Sequence, residues 1–234
     1  MFLRVTAGAI PMCECIVQPA SSSDFSGLLA QRENFSASSR LSAVSQSLHL
    51  ATDFAPHKKT SVIKPNMQIS AIRQRDDHLE SVKVRWGWSP VWSMGTMPPR
   101  THLPLHLVMR SRVFDRIRRE GRVLVAVDGW YDVPADHSSP HNQRLSYTTS
   151  RQSTPIFLAA LAQISEPSSG CDGLVLMTYG DTSDNQQRLL AFDAEAALHW
   201  LKPELHWEQA QQLALHMAVH EPQLEHVLTS QRMF

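Results

Sequence analysis

The sequence predicts an α+β protein built as one domain. Three observations carry that class. Apolar runs of strand length fill the middle of the chain: "RVLVAV", "TPIFLAALAQI" and "DGLVLMTYG". Helical patterns are scattered around them, in "SRVFDRIRRE" and "DAEAALHWLKPELHWEQAQQLALHM". No stretch of the 234 residues makes a linker good enough to divide the chain. A hydrophobic content of 42% is ample for a packed core.

Taken in chain order, "SASSRLSAVSQS" is Ser-rich and reads as a loop. "NMQISAIRQRDDHLESVKVRWGW" predicts two strands around a turn at Asp76, Asp77 and His78. The three prolines of "MGTMPPRTHLPLH" require an extended or irregular path. "SRVFDRIRRE" predicts a helix stopped by Gly121. "RVLVAV" then predicts a buried strand running into "DGWYDV". Two further core strands follow, separated by "SSPHN" and "SEPSSG" turns. The last long segment predicts two helices, with Pro203 near the first turn of the second.

Composition excludes several function classes. Lys+Arg and Asp+Glu both number 22, so no global charge advertises a nucleic-acid partner. The distribution is less even: seven Arg stand between Arg100 and Arg122 against only Asp115 and Glu120, and Arg is the better planar partner for phosphate. A solvated helix face explains the same run, and Arg116, Arg118 and Arg119 fit that reading better. Nothing approaches an apolar run of membrane-spanning length. Three cysteines, Cys13, Cys15 and Cys171, make no disulfide framework and fit a reducing cytoplasm. Walker A, dinucleotide and His-Glu-x-x-His motifs are all missing. Cys13-x-Cys15 with His102 and His106 is a weak zinc pattern, because the histidines sit in a Pro-rich stretch. No metal or cofactor is expected. A thiol nucleophile with a His base is the other generic option.

A series of short motifs is more specific. "MCECIVQ", "KPNMQISAI", "VRWGWSPVW", "RSRVF", "VDGWYDV", "TPIFLAAL" and "GLVLMTYG" occur in this order. Together they resemble the SRAP family, the SOS response-associated peptidases whose members sense abasic DNA. The resemblance runs from Met12 to about Leu201. It implies a curved, largely antiparallel, barrel-like sheet flanked by helices. It also implies a single-stranded DNA partner carrying abasic sites, no membrane, and a monomer.

The implied chemistry needs an N-terminal cysteine. An α-amine adds to the open-chain sugar aldehyde to give an imine, and the thiol of the same residue closes a thiazolidine ring. The α-amine has a low reference pKa, near 8, and proximity favours ring closure. On this reading Cys13 is the reactive residue. Met12 is then the working start, and residues 1–11 are a mis-called start or a removed leader ahead of a domain over 12–234.

By the same resemblance, the family's Asn falls on Arg110, its Arg on Arg112, its Glu on Asp132 and its His on Asn185. Arg188 follows as a retained arginine. Arg112, Arg110 and Arg188 are expected to contact phosphates, with Trp92 and Pro65 lining the base-binding cleft. Arg110 is also counted with Cys13, Asp132 and Asn185 as catalytic, its fixed positive charge depressing the pKa of a nearby amine or thiol. The replaced groups predict weakened acid–base support: Asp132 withdraws a carboxylate by one methylene, and Asn185 cannot shuttle a proton as His does. Two alternatives stay open. One is a degenerate relative that binds DNA or a partner without reacting. The other is a thiol hydrolase or peptidase using Cys13 within the chain.

Overall fold

The apolar runs are strands buried on both faces. β6 (Arg122–Val127), β9 (Ile156–Gln163) and β10 (Gly173–Tyr179) occupy the centre of a sheet. They send Val123, Val125, Leu158, Ala160, Leu174 and Leu176 into one core layer, and Leu124, Phe157, Ala159, Val175 and Met177 into another. Successive side chains of a strand point to opposite faces, so a run that is apolar throughout must be covered twice. The structure, a computed structural model, describes residues 13, 15–19, 29, 60–93, 96–132, 145–152, 154–180, 187–220 and 223–229.

Around those strands the larger sheet runs β11 (Arg188–Leu189), β10, β9, β6, β3 (Gln68–Arg75) and β4 (His78–Arg85). β12 (Ala191–Phe192) adds to β9, and β5 (His102–Pro104) adds to β10. The smaller sheet runs β13 (Leu224–Leu228), β8 (Ser146–Ser150), β7 (Gly129–Asp132), β1 (Cys15–Pro19) and β2 (Thr60–Ile63). Only β5–β10 is parallel among the described strand ladders. The expected α+β, mostly antiparallel architecture is therefore present, as two open sheets.

The inter-sheet layer joins Ile16, Ile63, Trp130 and Leu224 of the smaller sheet to the larger one, and it contains Cys13. The opposite face of the larger sheet is covered by α1 (Leu105–Arg110), α2 (Asp115–Glu120), α3 (Ala194–Leu201) and α4 (Trp207–His216). Val108, Ile117, Trp200 and Leu213 fill that layer.

One side chain ties the sheets where the larger one splays. β3 and β6 share a single paired rung, Ile72↔Leu124. Beyond it, buried Gln18 of β1 reaches across: its Nε2 donates to Ser70 O (2.8 Å) and Ala126 O (3.1 Å), and its Oε1 accepts from Ser70 N–H (3.0 Å). The amide completes the backbone pairing that a divergent strand leaves open.

Local expectations fare unevenly. The β3–β4 hairpin turns where the sequence places it, with Asp76 at φ 51°. The Pro-rich stretch is irregular through Pro99, then forms β5, and a helix starts directly after Pro104. The helix expected over "SRVFDRIRRE" is a 3-10 turn, Arg112–Phe114, followed by α2. Pro203 lies between α3 and α4, outside either helix. The Arg122 guanidinium holds that connection by donating to the carbonyls of Lys202, Pro203 and Leu205. The expected Ser-rich loop and the "SSPHN" turn lie outside the described residues.

Candidate active site

β7 continues β6 after Asp128 and crosses into the smaller sheet, where it pairs antiparallel with β1 as Ile16↔Trp130 and Cys15↔Tyr131. The chain at Cys13 thus stands at the end of the sheet where β7 ends in Asp132. Asp132 shares a strand face with Trp130, and its Oδ2 accepts the Trp130 indole N–H at 2.7 Å. Cys13 is 4% exposed, and its Sγ donates to Cys15 O at 3.5 Å. On the other side of β1 the pairing with β2 begins at Ile16↔Ile63. Half-buried Pro65 therefore follows β2 at the same end of the sheet. Asn66 next to it has φ 70° and donates its N–H to Trp86 O at 2.7 Å.

The larger sheet contributes β5 and β10 to the same inter-sheet layer. β5 pairs with β10 as His102↔Leu176, Leu103↔Met177 and Pro104↔Thr178. Paired residues share a face, so His102 and Thr178 point with Leu176 into the inter-sheet layer, while Leu103 and Met177 face the helices. Thr178 is buried, and its hydroxyl donates to Gln187 Oε1 at 3.0 Å. The His102 Nδ1 lies 3.0 Å from the Thr101 hydroxyl. Its ring meets Trp86 edge to face at 5.8 Å, and Trp86 is fixed by its own indole bond to Thr101 O, 3.0 Å. The His102 Nε2 is buried and, among the described residues, has no hydrogen-bond partner. Burial pushes the His102 pKa down to about 4, so the ring is neutral at pH 7.

The expected cationic and stacking residues are more dispersed. Arg110 and Arg112 flank Ser111 where α1 meets the 3-10 turn, and both are exposed. Leu105, Val108 and Phe114 beneath them belong to the helix-facing layer, so this segment packs on the face of the larger sheet opposite Cys13. Arg188 is exposed on β11, paired with Tyr179. Asn185 lies outside the described residues. Trp86, Trp88 and Trp130 are core, whereas Trp92 is 68% exposed on a 3-10 turn, Val91–Ser93, next to exposed Val91 and Met97. A cavity of about 390 Å³ adjoins that turn, lined in part by Arg85, Ser89, Thr96, Met97 and Cys171. Among the described residues, no group of three His, Cys, Asp or Glu side chains could hold a metal ion. His102 and His106, half of the weak zinc pattern, divide between a strand and a helix. No described helix is long and apolar enough to cross a membrane.

Residues 27–233 match the family described as SOS response associated peptidase (SRAP). The chain belongs to the SRAP family. A curated relative, the abasic site processing protein YedK of Escherichia coli (strain K12), is 26% identical over 159 residues, which is 65% of this chain and 68% of the relative. Among solved structures, a phage-related protein of Bordetella bronchiseptica superposes with a TM-score of 0.68 at 18% identity, covering 94% of this chain and 95% of that one. A Bacteroides thetaiotaomicron protein gives 0.56 at 13% identity, covering 71% and 76%. These two show a shared fold.

Within the SRAP framework, the structure sets Cys13, Asp132 and Pro65 at one end of the smaller sheet. Sequence reading missed His102 and Thr178 as neighbours of that layer. No local signal marks either one, because their facing depends on a parallel pairing between distant segments.

Proposed function

We propose that this SRAP protein captures abasic sites in single-stranded DNA covalently through Cys13. Family membership and the name of the Escherichia coli relative support an abasic-site role at the level of the family. The observation that carries the site is the β1–β7 pairing, which brings the Cys13 segment alongside Asp132 and Trp130. The amine of a terminal Cys13 adds to the sugar aldehyde, and water leaves as the imine forms. The sulfhydryl then adds across the C=N bond: sulfur bonds to carbon, and its proton passes to nitrogen. Asp132 and Asn185 are assigned as acid–base assistants. Trp92 and Pro65 are assigned to bases and Arg188 to phosphates, while Arg110 and Arg112, on the helix-covered face of the larger sheet, stand apart from the Cys13 corner.

The reaction requires the start at Met12, followed by its removal, because only a terminal residue offers both groups. Protein beginning at Cys13, incubated with an abasic oligonucleotide, is expected to give a heat-stable adduct that Cys13→Ala loses. The chain carrying residues 1–12 is expected to give none. Intact mass of the protein expressed from its own gene shows which form exists. An absence of adduct from the Cys13-starting form defeats the proposal.

The 4% exposure of Cys13 favours one rival, a relative that binds DNA without reacting. That rival predicts salt-sensitive binding and no adduct. The same burial counts against a hydrolase using Cys13 within the chain.

A further inference from the structure

We propose that His102 is the proton-transfer residue of the Cys13 centre, its Nε2 relaying the protons exchanged during ring formation. This rests on the Cys13 reading above. Three observations support the proposal. The His102↔Leu176 register turns the imidazole into the layer that holds Cys13, away from the helix-facing side. The ring is fixed: Nδ1 is engaged by the Thr101 hydroxyl, and the ring packs edge-on to Trp86, itself anchored on the Thr101 carbonyl. The remaining nitrogen, Nε2, is buried without a partner among the described residues. Such an atom is rare in a folded core and calls for a reason. A group awaiting a substrate proton supplies one.

Burial keeps the ring neutral at working pH, so Nε2 does not already carry the extra proton when the amine attacks. When the amine attacks the aldehyde carbon, the carbonyl π pair moves to oxygen and nitrogen becomes cationic. Nε2 takes one N–H proton and delivers it to the alkoxide oxygen, then relays the second N–H proton to the resulting hydroxyl, which departs as water and leaves the neutral imine. The imine then receives the thiol, whose proton reaches nitrogen. Amine, aldehyde and thiol give thiazolidine and water, and the imidazole ends as it began. The titratable groups on the surrounding elements are Cys13 and Asp132 in the layer or at its end, Arg85, Arg100 and His106 along the neighbouring chain, and Tyr179 on β10.

The test uses Cys13-starting protein and an abasic oligonucleotide, with single-turnover adduct formation followed from pH 5 to 8. His102→Gln and His102→Asn each keep a polar side chain but cannot relay a proton. Either is expected to slow adduct formation by about a hundredfold, with binding of undamaged single strands unchanged. His102→Ala is expected to recover part of the rate when free imidazole is added. A folded His102 variant, Gln or Asn, that reacts within twofold of the parent overturns the proposal and leaves the Cys13 reading standing. A parent that forms no Cys13-dependent adduct overturns both.

Discussion

Replacing Gln18 by Leu tests whether the two sheets are fastened as described. The substitution keeps size and burial but removes three hydrogen bonds, at 2.8, 3.1 and 3.0 Å. It strands the Ser70 N–H and the carbonyls of Ser70 and Ala126 in the gap where β3 leaves β6. A buried polar group left without a partner costs about 1–3 kcal/mol. Ser70 is only half-buried, so the lower part of that range applies, and the sum is about 3–5 kcal/mol. Against a typical domain stability of about 5–15 kcal/mol, that is a large fraction. Urea unfolding followed by tryptophan fluorescence reads the loss as a lower midpoint at unchanged slope. Gln18→Glu is expected to lose at least as much at pH 7, because a carboxylate has no N–H for the two carbonyls. A Leu variant within about 1 kcal/mol of the parent, on the same scale of buried-bond costs, would show that Gln18 does not fasten the sheets.

Two further outcomes concern ligand and pH. Trp92→Ala removes an exposed ring available for base stacking, worth about 1–3 kcal/mol per base. Fluorescence anisotropy should show single-strand affinity falling between about fivefold and a hundredfold. The salt dependence should be unchanged, since indole carries no charge. The His102 pKa of about 4 lies below the reference value of 6.5, so the unfolded chain takes up that proton first. Its contribution is full above pH 6.5 and is lost as the pH falls towards 4. At 1.36 kcal/mol per unit that is about 3 kcal/mol. Urea midpoints at pH 7 and 4.5 should fall further for the parent than for His102→Gln.

The parts legible in sequence were those whose signal is local. The β3–β4 hairpin shows as two strand-like runs around Asp76-Asp77, and β6, β9 and β10 as unbroken apolar runs. The smaller sheet was harder. Its β8 reads "SYTTS", with Thr148 its one buried residue, and β13 buries Leu224 alone. These strands exist because partners far along the chain pair with them. Pro203 was placed in a helix because a proline fits a first turn equally well. Only the distant Arg122 contact shows it to be part of the connection. At the site, the Asp-Gly-Trp motif marks Asp132, whose strand pairs with the segment following Cys13. The arginine cluster carried no information on which side of the sheet it would stand, and Arg110 and Arg112 ride on the helical side. His102 looked like half of a poor zinc pattern, since its inward facing is set by β10.

The pairing of β1 with β7, and of β13 with β8, has a consequence for timing. A polypeptide emerging from the ribosome exposes β1 long before β7 has been synthesised, and contacts of such high order form late. The sulfhydryl-bearing segment therefore has no fixed seat during translation. If Cys13 reacts as proposed, competence should switch on only once the nascent chain has been made through Asp132 and beyond, which ties readiness to completed molecules.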